Sequence, residues 1–107
     1  MINVISPSRY KVNRKKIKDA IHIDETINIV FIGKNKMKSI AGKYKKENVA
    51  LPVLSFSYKE KKSIDLPTGE IFICYPQAVL LAAERNKRVD DMIVTLIKHG
   101  IENIIQN

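Results

Sequence analysis

Apolar positions recur along this chain with two different periods, and the switches between them mark out its elements. Met1 to Ile5 is a short, apolar, β-prone run that Ser6-Pro7-Ser8 ends, and the serine hydroxyls offer a cap to a basic helix expected from about Arg9 to Ile21. Thr26 to Ile32 is almost continuously apolar, as a strand buried on both faces would be, and Gly33 stops it. From Lys36 to Lys45 the apolar residues Met37, Ile40, Ala41 and Tyr44 stand at i, i+3, i+4 and i+7, which predicts an amphipathic helix.

Beyond it, Val53 to Phe56 predicts a short strand, Lys59 to Pro67 a polar surface loop, and Glu70 to Cys74 a further strand entered from Gly69. Pro76 fits the first turn of an Ala- and Leu-rich helix expected over Gln77 to Asn86. Val89, Met92, Ile93, Leu96, Ile97, Ile101, Ile104 and Ile105 mark a long amphipathic helix, with Asp90 or Asp91 as its cap. The order β-α-β-α-β-β-α-α predicts an α+β fold in which helices pack on a small mixed four-stranded sheet.

The 107 residues suit one domain, 1–107, without repeats or low-complexity segments. No apolar run approaches the ~20 residues that cross a bilayer, and the N-terminus lacks a signal-peptide pattern, so a soluble cytoplasmic protein without a membrane partner is expected. A single cysteine, Cys74, excludes an internal disulfide and a paired-thiol metal site. At a strand end it is expected to be a small core residue.

Charge changes the picture further. The net charge is +8, and twelve of the 19 lysines and arginines lie in the first 46 residues, against Asp19, Asp24 and Glu25. Cations gathered on one part of a small protein concentrate a polyanion, and RNA is the common cytoplasmic one. The alternative is a lysine-rich composition without a dedicated partner. The helix over 36–45 and the residue after it carry Lys36, Lys38, Lys43, Lys45 and Lys46 with no acid among them, either a nucleic-acid-binding face or a solvated one.

On the last helix, Thr95, His99, Asn103 and Gln106 share one flank of the apolar stripe. A histidine followed four residues later by a second ligand type is how one helix grips a metal from one side, although asparagine is a poor zinc ligand. The same pattern suits a hydrogen-bonded structural histidine. His22 is expected at the surface.

Taken as an ordered set, these motifs resemble the bacterial YbeY family of metal-dependent endoribonucleases, implicated in ribosomal RNA maturation and ribosome quality control. Tyr44-Lys45, then Leu51-Pro52-Val53-Leu54-Ser55-Phe56, then Thr68-Gly69-Glu70-Ile71, then His99-Gly100 follow the family's Tyr-Arg, Thr-Asp-Val-Leu-Ser-Phe, Leu-Gly-Asp-Ile and His-Gly in order and at similar spacing. The resemblance implies that His99 is the first of three metal histidines, with zinc as the cofactor of an active enzyme. Asn103 stands at the second position, and the third would fall two residues beyond Asn107. Lys45 stands at the arginine, keeping its charge but losing its two-pronged grip on phosphate. Leu51-Pro52 replaces Thr-Asp, and Glu70 corresponds to an aspartate that accepts hydrogen bonds in the cleft.

Three functions, from different classes, remain open. One is a YbeY-like endoribonuclease with a degenerate metal site, in which Lys45 and His99 are the catalytic candidates; RNA supplies its own 2′-hydroxyl nucleophile, so metal-free cleavage by these two is conceivable. The second is a catalytically inactive protein that binds RNA, rRNA or the ribosome, with no metal. The third is a protein-interaction module.

Overall fold

The computed structural model describes residues 1–58 and 66–106. In chain order the elements are β1 (Ile2–Ile5), α1 (Arg14–Ala20), β2 (Ile27–Ile32), α2 (Lys34–Tyr44), β3 (Val53–Ser57), β4 (Gly69–Cys74), α3 (Tyr75–Glu84) and α4 (Val89–Gln106). The expected order of elements holds throughout. The loop expected over Lys59 to Pro67 lies outside the described residues, except for Leu66 and Pro67.

The four strands form one mixed sheet in the order β1-β2-β4-β3. β1 pairs parallel with β2 and β2 parallel with β4, whereas β3 joins β4 antiparallel at the edge. Alternation along the strands sorts their side chains onto two faces. Ile27, Ile29 and Phe31 of β2 join Ile71 and Ile73 of β4 in a core with α1, α3 and α4, to which α4 brings Met92, Ile93, Leu96, Ile97, Ile101 and Ile104. Ile32, Leu54 and Cys74 pack on the opposite face against Met37 and Ala41 of α2. Helices therefore cover both faces, with α2 on one and α4 on the other. The fold is α+β.

Several helix boundaries differ from expectation, α2 beginning at Lys34 and not at Lys36 among them, and three of the helices show a local reason. α1 starts at Arg14, not near Arg9, because Asn13 is its cap: the Asn13 side chain accepts the Lys16 N–H at 3.0 Å. The preceding residues are held elsewhere, with the Tyr10 ring stacked on Tyr75 at 4.6 Å and Val12 packed against the core. α3 starts at Tyr75, two residues early, with Pro76 in its first turn, and it ends before Asn86, which takes a left-handed φ of 53°. In α4, Asp90 and Asp91 sit inside the first turn and not at the cap, where their negative charge suits the helix N-terminus. Asp91 also pairs with Lys16 of α1 at 2.5 Å, tying the two helices together.

α4 lies directly on β4. Gly100 faces Ile71, and one turn further Ile104 faces Gly69. This close approach sets which side of α4 is turned outward.

Candidate nucleic-acid interface

α2 buries Met37 and Ala41, with Ile40 half-buried beside them. At ~100° per residue, Lys36 and Lys43 fall two turns apart on one rim of that stripe, while Lys38 falls with Lys45 on the other rim. All five lysines singled out in the sequence are exposed, and none makes an ion pair among the described residues. By contrast, Lys15 and Lys16 of α1 are neutralised by Asp19 and Asp91.

The C-terminal end of α2 gathers Lys43, Lys45 and Lys46 around Tyr44. That ring is 58 % exposed and rests edge-on against Phe56 of β3 at 5.2 Å. Phe56 in turn meets Phe72 of β4 edge-on at 5.7 Å. The Lys43 ammonium lies 5.5 Å from the Tyr44 ring centroid. Lys46 closes the helix in a left-handed conformation, φ 56°, which turns the chain away from the α2 axis.

On the same face of the sheet a polar row crosses the strands. Asn3 donates its amide to Asn28 at 3.0 Å, Asn28 donates to Glu70 at 3.4 Å, and the Tyr58 hydroxyl donates to the other Glu70 oxygen at 2.8 Å. Asn3, Asn28 and Glu70 are register partners in neighbouring strands. Burial, reinforced by the hydrogen bond to Glu70, pushes the Tyr58 phenol up to about 12, so it stays a donor at neutral pH. Glu70 thus accepts hydrogen bonds, as the resemblance implied. Burial also pushes the Cys74 thiol up, and its side chain is fully enclosed, which suits the expected core role.

The flank of α4 carrying Thr95, His99, Asn103 and Gln106 is exposed along its length. Thr95 bonds back to the Asp91 carbonyl at 3.0 Å; the His99 ring has no hydrogen bond or ion pair among the described residues. His22 is also exposed. A hydrolytic zinc site takes three protein ligands. Among the described residues no group of three His, Cys, Asp or Glu side chains is placed to hold a metal ion, and the donors at the expected position are one imidazole and one amide. The residues present do not fit zinc. Nor does the structure bring Lys45 and His99 into contact, because the helices that carry or precede them lie on opposite faces of the sheet.

Comparison with known proteins decides the family. The family model described as Endoribonuclease YbeY matches residues 6–103. The chain belongs to the YbeY family. It is 30 % identical over 95 residues to the Endoribonuclease YbeY of Cupriavidus necator, an alignment covering 89 % of this chain and 47 % of that protein. The Endoribonuclease YbeY of Spiroplasma citri is 28 % identical over 100 residues, covering 85 % and 63 %. The chain thus spans about half to two thirds of the length of these relatives. The solution structure of TM1509 from Thermotoga maritima shares the fold, with a TM-score of 0.61 at 18 % identity, covering 97 % of this chain and 71 % of that one.

Within this YbeY-family fold, sequence reasoning locates the lysines and Glu70 but misses Asn3, Asn28 and Tyr58. Asn28 alone carries a signal: it is the one polar side chain inside the otherwise apolar Ile27–Ile32. A strand polar at a single position invites a search for its partner.

Proposed function

We propose that this chain acts on RNA as a YbeY-like protein in ribosomal RNA maturation or ribosome quality control, gripping RNA at the C-terminal end of α2. The observation that carries the proposal is the exposed Tyr44 ring set among Lys43, Lys45 and Lys46, none of them ion-paired among the described residues. Unpaired cations meet phosphates, and an exposed aromatic ring offers a stacking face to an unpaired base. Lys45 supplies the charge at the family's arginine position. Family membership makes RNA the partner to test first, and relatives named Endoribonuclease YbeY make cleavage the activity to test with it. One imidazole and one amide support no hydrolytic step through zinc. His99 is proposed as the residue on which any cleavage by this chain depends.

Fluorescence anisotropy with a labelled single-stranded RNA tests the binding. Affinity is expected to fall steeply with salt, and the variant Lys43→Gln/Lys45→Gln/Lys46→Gln should lower the magnitude of the log–log salt slope by about 2, as loss of three phosphate contacts on a single strand implies. Binding that ignores salt, or a slope unchanged in the triple variant, overturns the proposal. Cleavage of the same RNA with and without added zinc, in native protein and in His99→Ala, tests catalysis. Activity that disappears in the variant establishes the enzyme, and its absence from native protein under both conditions leaves RNA binding as the function.

A further inference from the structure

A broad cleft lies at the opposite end of α2 from Tyr44. It has a volume of about 670 Å³ and opens where the parallel strands β1, β2 and β4 end. Ligands of open α/β sheets gather at the carboxyl ends of parallel strands, and the volume falls in the range of small-molecule sites. Arg9, Lys34 and Lys36 line this cleft, and no acidic residue does. None of the three makes an ion pair among the described residues. Three uncompensated cations around one concavity repel one another, and an anion seated among them removes that repulsion.

The wall is pre-organised. Tyr10 is fixed by stacking on Tyr75, which Phe31 meets edge-on at 6.5 Å. The Arg9 guanidinium lies 4.9 Å from the Tyr10 ring centroid, so the aromatic pile orients a flat, charged plate at the cleft. A guanidinium plate both pairs with phosphate and stacks on a base. The Tyr10 hydroxyl has no hydrogen-bond partner among the described residues and stands close over the Gly33 backbone, where an added Cβ would meet it at 3.1 Å.

We propose that this cleft is a second anion site that takes a nucleoside phosphate, its phosphate held by Arg9, Lys34 and Lys36 and its base laid against the Arg9–Tyr10–Tyr75 stack. The same chemistry reaches the cleft as a free nucleotide or as one nucleotide of an RNA strand. The site is separate from the Lys43, Lys45 and Lys46 cluster, and it does not rest on RNA binding there.

Titration with adenosine 5′-monophosphate, inorganic phosphate and a short single-stranded RNA tests the site, read from the amide resonances of Gly33 and Lys34. Saturable shifts are expected with the nucleotide or with the RNA. Arg9→Gln/Lys34→Gln should weaken that binding about tenfold, the loss of one charge-assisted contact or more, with thermal unfolding unchanged as the control on folding. Shifts with the free nucleotide assign the site to nucleotides, and shifts with RNA alone assign it to a nucleotide within a strand. The proposal fails if neither shifts these amides, if inorganic phosphate binds as tightly as the nucleotide, or if the double variant binds unchanged. RNA affinity that falls in Lys43→Gln/Lys45→Gln/Lys46→Gln but not in Arg9→Gln/Lys34→Gln, with no shift from the free nucleotide, removes the second site and leaves the first.

Discussion

Gly100 of α4 lies so close to Ile71 of β4 that a Cβ on the glycine would stand 3.0 to 3.2 Å from three carbons of the isoleucine side chain. The relationship is reciprocated one turn later, where Gly69 of β4 lies under Ile104 of α4. The two sites differ in what surrounds them. At Gly69 a Cβ would come within 2.7 Å of the Phe56 carbonyl oxygen, which is backbone in an adjoining strand and cannot step aside. At Gly100 only a side chain must give, and alanine brings back the ~1 kcal/mol of helix propensity that glycine forfeits. Gly69→Ala is therefore expected to cost about 1–3 kcal/mol as an overpacking change, and Gly100→Ala clearly less. Chemical denaturation of both variants checks the order, and equal losses would mean that the carbonyl contact is not what limits Gly69.

Lys46 adopts φ 56°, a left-handed conformation that costs a residue with a Cβ roughly 1–2 kcal/mol. Lys46→Gly is expected to raise stability by about 0.5–1 kcal/mol and to lower RNA affinity at low salt. Stability and binding thus move in opposite directions. A variant unchanged in denaturation would show that the conformation carries no strain.

Tyr58 provides a spectroscopic mark on the polar row. Its phenol ionises at about 12, first because of burial and then because its hydroxyl is bonded to Glu70. A raised folded value means that the native state holds this proton more tightly than the unfolded chain does. The stabilisation is complete below the ordinary tyrosine value of 10.0 and is lost as pH rises toward 12. Tyr58→Phe should remove the absorbance step near pH 12 and cost about 1 kcal/mol at neutral pH. If that step survives, it belongs to another tyrosine.

The Lys16–Asp91 pair joins α1 to α4 and acts at the other end of the pH scale. The hydrogen bond from Lys16, and then its charge, hold the Asp91 carboxyl below its ordinary value of 3.8. A depressed folded value stabilises the native state above 3.8, and the contribution disappears as pH falls through the lower folded value. Lys16→Gln should flatten the acid side of the stability profile, by a small amount because both side chains are solvated. The comparison at high salt should shrink the difference further. An acid profile identical to that of the native protein would show that the pair contributes nothing.

The contrast between what is and is not legible in the sequence has physical causes. β2 can be read because its residues are apolar at nearly every position, and α4 because its apolar residues keep a helical period over 18 residues. The start of α1 is misleading because Ser6, Pro7 and Ser8 are good local cap and stop signals. They are overridden by a tertiary contact, Tyr10 on Tyr75, between residues far apart in the chain. Local cues cannot report such a contact. The lysines around Tyr44 are visible as a run, whereas their division between two rims of α2 emerges only once the buried stripe is known. The row from Asn3 to Tyr58 is invisible because its members meet only through the crossover order β1-β2-β4-β3.

That row also works as an alignment key. Because it touches β1, β2, β4 and the residue that follows β3, sliding any one of those strands by a single place would unmake its bonds and turn Asn28 or Glu70 into the oily interior beneath α4. Four side chains of little individual worth thereby exclude the misaligned sheets that a chain so rich in interchangeable isoleucines could otherwise assemble.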